Sequence, residues 1–382
     1  MLYLDNSATT KPYPEALAAF TSVAGQYFGN PSSLHKLGIE SERLLKEARK
    51  QTAQLLKVHA DEIIFTSGGT ESNNMAVKGA AFFHERRGKH IIASSVEHPS
   101  ILETFHQLEK EFGFEATYIP VDGEGRVSAM KIQEALRPDT ILVSVMHVNN
   151  EVGTVQPITE IGKAIKQYNQ RILFHVDHVQ GAAKVPLNIK EANIDLLSLS
   201  GHKFHGLNGT GVLFVKQGVE ILPLLSGGSQ ESSLRSGTES IAGIVSLAKA
   251  LRLSLEAAEV SHLEMSAVKK KLMNGLAKME GVQVNTPIEG SAPHIVNFSV
   301  PGIKAEVLLH MLEDEGIILS TTSACSSKAK KASAVLMAMG KGQAAAESSL
   351  RVSFSYDASQ HMADKVLNCL EKSVTKLKHV MR

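Results

Sequence analysis

Cys325 stands in the stretch TTSACSSKAKK (321–331), in a run of small residues that leads straight into lysines, in a chain of 382 residues with only two cysteines. The thiolate is the reactive form of cysteine, and neighbouring cations such as Lys328 favour it. The other thiol, Cys369, lies in the apolar pattern VLNCLEK, where a buried, inert cysteine is expected. LLSLSGHKFHG delivers Ser200, His202 and Lys203 in a turn after an apolar run. A partly desolvated lysine has a lowered pKa and can form a Schiff base, although most lysines after strands are simply solvated. ILFHVDHVQ ends a strongly apolar run on Asp177. A buried carboxylate there needs a cation or hydrogen-bond donors, met by a protonated heterocyclic nitrogen or, more plainly, by the helix it could cap.

EIIFTSGGTES reads as strand, glycine pair and helix start. The amides around Gly69, Thr70 and Glu71 would open a helix N-terminus suited to phosphate, or serve as an ordinary cap. SSVEHPS brings His98, a candidate ring-stacking proton carrier, and MHVNNEVG brings Asn149 and Asn150, of which Asn150 could hydrogen-bond a ring oxygen. Either could also be a turn residue. Taken together, a phosphate cup, a carboxylate for a pyridinium nitrogen and an amine for an aldehyde describe pyridoxal 5'-phosphate. No metal is expected: His175 and His178 are three apart on a strand end and point to opposite faces, His202 and His205 only flank Lys203, and HExxH is absent.

Such groups need elements to hold them. Between about residues 60 and 216, apolar runs (EIIF, HIIAS, TYIPV, TILVSVMHV, ILFHVD, LLSLS, GVLFV) alternate with helical patterns. Runs that are apolar throughout predict strands buried on both faces, and the β-α order predicts a mostly parallel sheet under helices. Ligands gather at the carboxyl ends of such strands, where these polar residues fall. After a helical stretch around 240–280, HIVNFSV, AEVLLHMLEDEG, IILST, LRVSFS and ADKVLNCLEKSVTKL predict a smaller α+β unit. The expected division is a large cofactor-binding domain over 15–255 and a small domain made of 1–14 and 256–382.

A formal charge of +1, 43% hydrophobic and 21% charged residues are those of an ordinary globular protein, with no sign of a nucleic-acid or membrane-binding surface. MLYLDNSATT does not read as a signal peptide, no apolar run is long enough to span a bilayer, and two distant cysteines suggest a reducing compartment, so a cytoplasmic protein is expected.

YLDNSATT, NPSSLH, IIFTSGGTESNN, VEHPSIL, SVMHVNNEVGTVQPI, HVDHVQ, SGHKFHG, RSGTES, SACSS and LRVSFS, in this order, resemble the cysteine desulfurases of the NifS/IscS type, in the pyridoxal-phosphate-dependent class V aminotransferase family. The resemblance implies the two-domain fold type I of these transferases. It implies that Lys203 holds the cofactor, Asp177 pairs with its ring nitrogen, and Gln180 with Asn150 meets its phenolic oxygen. Gly69, Thr70, Ser200 and His202 would hold the phosphate, and His98 would stack on the ring and move protons. Thr238 would reach the phosphate of a neighbouring subunit, which implies a homodimer. Arg351, with Asn150 nearby, would clamp the substrate carboxylate, and Cys325 would take sulfur from L-cysteine as a persulfide for an acceptor protein (an iron–sulfur scaffold or a tRNA-thiolation protein). Rival readings are a selenocysteine lyase, an ordinary class V aminotransferase and a non-catalytic sulfur-relay scaffold. The chain departs from the family pattern at His178 and Val179, at HGLNGTG, and at Thr321 and Thr322 before SACSS.

Overall fold

The computed structural model describes residues 1–321 and 332–380. A short strand β1 (Leu2–Tyr3) precedes helices α1 (Pro14–Gln26) and α2 (Lys36–Leu56). The chain then alternates through β2 (Ile63–Thr66), α3 (Gly69–His84), β3 (His90–Ser94), α4 (Pro99–Phe112), β4 (Glu115–Ile119), α5 (Ala129–Ala135), β5 (Thr140–Met146), α6 (Ile158–Tyr168), β6 (Leu173–Asp177), β7 (Leu196–Ser200) and β8 (Gly211–Val215). These strands form one sheet in the order β2-β8-β7-β6-β5-β3-β4. Its pairs are parallel except those of β8, which runs against both neighbours. The physical reason is the link from β7 to β8: it holds only a helical turn at Gly201–Lys203, too short for the crossover that parallel pairing needs. β4 ends at Ile119 rather than running on through TYIPV, because Pro120 has no N–H to donate.

Both faces of this sheet are covered. Phe174, Val176, Leu197, Leu199, Val212 and Phe214 point to one core, with α2, α5, α6 and the first half of α7 (Ile241–Lys278). Their sequence neighbours Leu173, Leu196, Leu213 and Val215 point to the other, against α3 and α4. This alternation within all-apolar runs is what strands buried on both faces require. Asp177, in step with Leu173, therefore faces α3.

The rest comprises β9 (Gln283–Val284), β10 (Ile295–Ser299), α8 (Ala305–Asp314), β11 (Ile317–Ile318), β12 (Ser320–Thr321), α9 (Ala334–Ala338), α10 (Gln343–Glu347), β13 (Ser349–Ser353) and α11 (Gln360–Val380). An antiparallel sheet β12-β13-β10-β9 buries Val296, Phe298, Leu350 and Val352 against α8, α11 and the second half of α7. Its other face carries Asn297, Arg351 and Ser353, all buried. β1 pairs with β11, and Asp5 bridges to Ser353, so the N-terminus joins this unit. The run IILST divides between two partners, β11 on β1 and β12 on β13, with Leu319 buried between them. Val335, Leu336, Met339 and Ala346 pack on the core of the large sheet instead.

Candidate active site

Four strand ends and one helix end converge at the carboxyl side of the large sheet. Asp177 closes β6 and is 5% exposed. Its Oδ2 accepts from Asn73 Nδ2 at 2.7 Å and its Oδ1 from the Val179 N–H at 3.0 Å. Asn73 also donates to Ser100 Oγ at 2.9 Å, and Ser100 Oγ lies 2.8 Å from His98 Nδ1. Because that nitrogen also accepts from the Ser100 N–H at 3.1 Å, the neutral His98 ring carries its proton on Nε2. Burial lowers the His98 pKa, Asp177 opposes that and Lys203 adds to it.

Lys203 follows β7 and donates to the carbonyls of Ser7 at 2.5 Å and Ala8 at 2.7 Å. Gln180 Nε2 donates to the same Ser7 carbonyl at 2.9 Å, while its buried Oε1 has no partner. The segment Asp5–Thr10 thus lies over the turn, held to β13 by Ser7 N on Ser353 Oγ at 2.8 Å. His202 Nδ1 lies 3.2 Å from Thr9 Oγ1, and burial followed by the Lys203 and Lys184 charges lowers its pKa to about 4. Gly68 caps α3 with φ of +152°, a conformation open to glycine. A Cβ on Gly69 would lie 2.8 Å from Val179 Cγ2 and 3.5 Å from Ser200 Cβ, so the N-terminus of α3, with Gly69 and Thr70, closes on Ser200 and the Asp177 turn. Glu71 holds this end, accepting from the Ser67 N–H at 2.8 Å and from Arg235 Nε at 2.9 Å.

Arg351 reaches the site from β13. It donates to the Asn150 carbonyl and to Asp5 Oδ1, both at 2.8 Å, and its buried Nε has no partner. Asn149 shapes the turn itself, its Oδ1 accepting from the N–H groups of Glu151 and Val152. Thr238 is exposed and lines a separate cavity of 160 Å³ with Ser67, Thr210 and Arg235. Cys325 and Lys328 lie outside the described residues. Cys369 is half-buried and packs at the edge of the second core.

The histidines considered for a metal are engaged otherwise. His175 is hydrogen-bonded to Ser144 and Ser198 at 2.8 and 3.0 Å, His205 to Lys11 O and Ser355 Oγ, and His178 to His147 at 2.8 Å. Among the described residues no cluster of three His, Cys, Asp or Glu is arranged to hold a metal.

Asn73, Ser100, Asp5 and the Ser7 and Ala8 carbonyls were not singled out by sequence reasoning. Asn73 had a signal: with Ala76, Val77 and Ala80 it begins the buried stripe of α3, where a polar residue needs a buried partner. The carbonyls had none, since main-chain acceptors carry no residue type. These residues fit pyridoxal phosphate. Asp177 is a buried carboxylate with two N–H donors and no ion pair among the described residues, Gln180 has a spare buried acceptor, and the 16-residue helix α3 opens against Ser200, at the start of the turn that carries Lys203.

The class V aminotransferase family model matches residues 2–366. The NifS/IcsS protein homolog of Lactobacillus delbrueckii subsp. bulgaricus is 47% identical over 374 residues, covering 97% of each chain. Cysteine desulfurase IscS of Dictyoglomus turgidum is 42% identical over 380 residues, 99% of this chain and 96% of its own. Among solved structures, a NifS-like protein superposes with a TM-score of 0.92 at 36% identity over 98% of this chain and 99% of its own. SspA in complex with cysteine superposes at 0.82 with 33% identity, covering 93% of this chain and 99% of its own. The chain belongs to the class V aminotransferase family, in its NifS/IscS cysteine desulfurase branch.

Proposed function

We propose that this protein is a pyridoxal-phosphate-dependent cysteine desulfurase that converts L-cysteine to L-alanine and carries the sulfur as a persulfide on Cys325. The observation that supports this reading most is the meeting of the Lys203 turn, the α3 N-terminus and the buried Asp177 turn at the carboxyl ends of β6 and β7. When bound, the cofactor supplies an aldehyde that takes up amines and a ring that accepts electron density from carbon.

Lys203 would tether the cofactor through Nζ, and its free amine would serve as the base for the substrate carbon. Asp177, which accepts from Asn73 and Val179, would pair with the ring nitrogen, and Gln180 and Asn150 would meet the ring oxygen. Gly69, Thr70, Ser200 and His202 bind the phosphate, the helix end contributing free amides and its dipole. His98 would lie against the ring and hold or give a proton at Nε2. Arg351 binds the substrate carboxylate, oriented by Asp5 and the Asn150 carbonyl. The Cys325 thiolate then attacks the substrate sulfur: an S–S bond forms, the C–S bond breaks, and its electron pair passes to carbon, which is protonated as alanine leaves.

In this reading 15–255 is the cofactor domain, and 1–14 with 256–382 the smaller domain that brings Asp5, Arg351 and Cys325. The working form is a homodimer in which Thr238 serves the partner's phosphate, the compartment is the reducing cytoplasm, and the acceptor is an iron–sulfur scaffold or tRNA-thiolation protein.

The test is peptide mass after brief exposure to L-cysteine without reductant, beside an alanine assay. One added sulfur on the Cys325 peptide with matching alanine supports the assignment. Alanine without that persulfide removes Cys325 as carrier. Cys325→Ala should keep the cofactor and lose sulfur transfer, and full turnover in that variant would refute the role.

A further inference from the structure

Behind Lys203 lies a second buried lysine that the chemistry above does not use. Lys184 is 3% exposed, and its Nζ donates to the Lys203 carbonyl at 2.5 Å. The backbone is bent to bring it there. Ala183 holds φ of +55°, a left-handed conformation that is strained for a non-glycine residue. Tyr356 Oη fixes the Ala183 carbonyl at 2.7 Å, and the N–H groups of Lys184 and Val185 both donate to Gly181 O at 2.9 Å. Backbone strain of this kind persists only where the surroundings enforce it, and what this turn delivers is an amine.

The charges close to Lys184 are basic. Lys203 acts on it directly, and no carboxylate is among the charges that do. His202 and His205 flank Lys203, with Asp357 beyond His205. His178 comes from the Asp177 turn with His147 against it. His294 enters before β10, with Lys269 and Arg351 beyond it. Asp177 and Lys203 both act on His98, and neither Asp177 nor His98 is among the charges that act on Lys184. Burial, and then the Lys203 charge, bring the Lys184 ammonium down to about 7.

We propose that Lys184 is a positioning residue for Lys203: the bond from Lys184 Nζ to the Lys203 carbonyl fixes the turn that aims Lys203, and a cation held there disfavours a second one on Lys203. This rests on the reading of Lys203 as the cofactor lysine. Coupling between two titrating groups is mutual, so a cation that is destabilised by Lys203 destabilises a proton on Lys203 equally. Each time the substrate amine displaces Lys203, Nζ must remain unprotonated to take a proton from carbon. A neighbouring cation keeps it so, as in other sites where two amines are held together.

The experiment is lysine labelling of the full chain, stripped of cofactor, with a small acylating reagent across pH, each lysine being quantified by peptide mass. In the parent protein Lys203 should label at distinctly lower pH than Lys36, whose side chain is 88% exposed. Equal pH dependence of the two overturns the proposal without any variant. In Lys184→Met, Lys203 should need about one pH unit more, a rate about tenfold lower at pH 7. A curve superimposed on that of the parent overturns it. Lys184→Gln keeps a donor for the carbonyl without the charge, so it should melt with the parent yet label like Lys184→Met; parent-like labelling again overturns the proposal. Borohydride fixation of the cofactor-loaded protein separates the two readings. With cofactor found on Lys203, negative labelling counts against Lys184 alone; with cofactor on another lysine, the role of Lys203 falls.

Discussion

At Asp177 a buried carboxylate is stabilised by two neutral N–H donors, one from its own turn and one from Asn73 on α3. Asn73 extends the arrangement through Ser100 to His98, so the residues proposed for the ring nitrogen and the ring face are linked through two side chains. Glu97, adjacent to His98, is a second buried carboxyl. It accepts from the Met146 N–H at 2.8 Å and from Ser94 Oγ, but its Oε2 has no partner, and burial pushes it up to about 8. A carboxyl raised in the folded state takes up a proton on folding between its ordinary value and about 8. Its contribution to stability is therefore complete below the ordinary value and is lost as pH rises through that window. Glu97→Gln, uncharged throughout, should gain stability on the parent between pH 5 and pH 8, measured by urea unfolding at both. A difference independent of pH would mean that Glu97 does not titrate there.

At the scale of the element, α3 begins where β2, β7 and the Asp177 turn approach most closely. Gly69 allows that approach, since a Cβ would meet Val179 Cγ2 at 2.8 Å. Valine is stiff about its first side-chain torsion, so the clash cannot be relieved by rotation alone. Gly69→Ala should cost about 1–3 kcal/mol through overpacking, and weaken cofactor retention by about tenfold or more as the helix end moves away. Val179→Ala in the same chain should restore much of the loss. Cofactor release followed by near-visible absorbance checks both, and no recovery in the double variant would show that the amides, not the packing, are damaged. His178 and Val179, where the chain departs from the family pattern, thus have physical roles: one rests on His147, and the other fills the space that glycine leaves.

For the whole molecule, α7 runs through both apolar cores, Leu251 packing in one and Met265 in the other. β13 projects Arg351 from the smaller sheet to Asn150 and Asp5, so the proposed substrate clamp exists only when both units are folded. No helix among the described residues is long and apolar enough to cross a membrane. The proposed dimer predicts a sedimentation mass twice that of the chain. If Thr238 serves the partner's site, mixing Thr238→Ala with Lys203→Ala should recover up to about a quarter of parental activity, because each heterodimer then has one intact site. No recovery on mixing, with heterodimers shown to form, would return Thr238 to its own subunit.

The sequence by itself determined the buried strands, their mostly parallel order and the polar residues at their ends, because hydrophobic periodicity and turn residues are local signals. It carried Lys203, Asp177, His98 and the Gly69–Thr70 helix start for the same reason: each follows an apolar run within a few residues. Arg351 came only from the family resemblance carried by LRVSFS; in the structure Leu350, Val352 and Phe354 of that run enter the core, with Arg351 and Ser353 buried between them. Only the tertiary structure decided what those residues touch. Asn73 meets Asp177 across 104 positions, Asp5 meets Arg351 across 346, and Lys203 finds its acceptors in Ser7 and Ala8, some 195 residues away. Lys184 shows the limit most plainly. In sequence it is one more lysine before a valine and a proline. Burial makes it a second amine behind Lys203, because desolvation and a neighbouring charge act through space and leave no mark on the local pattern.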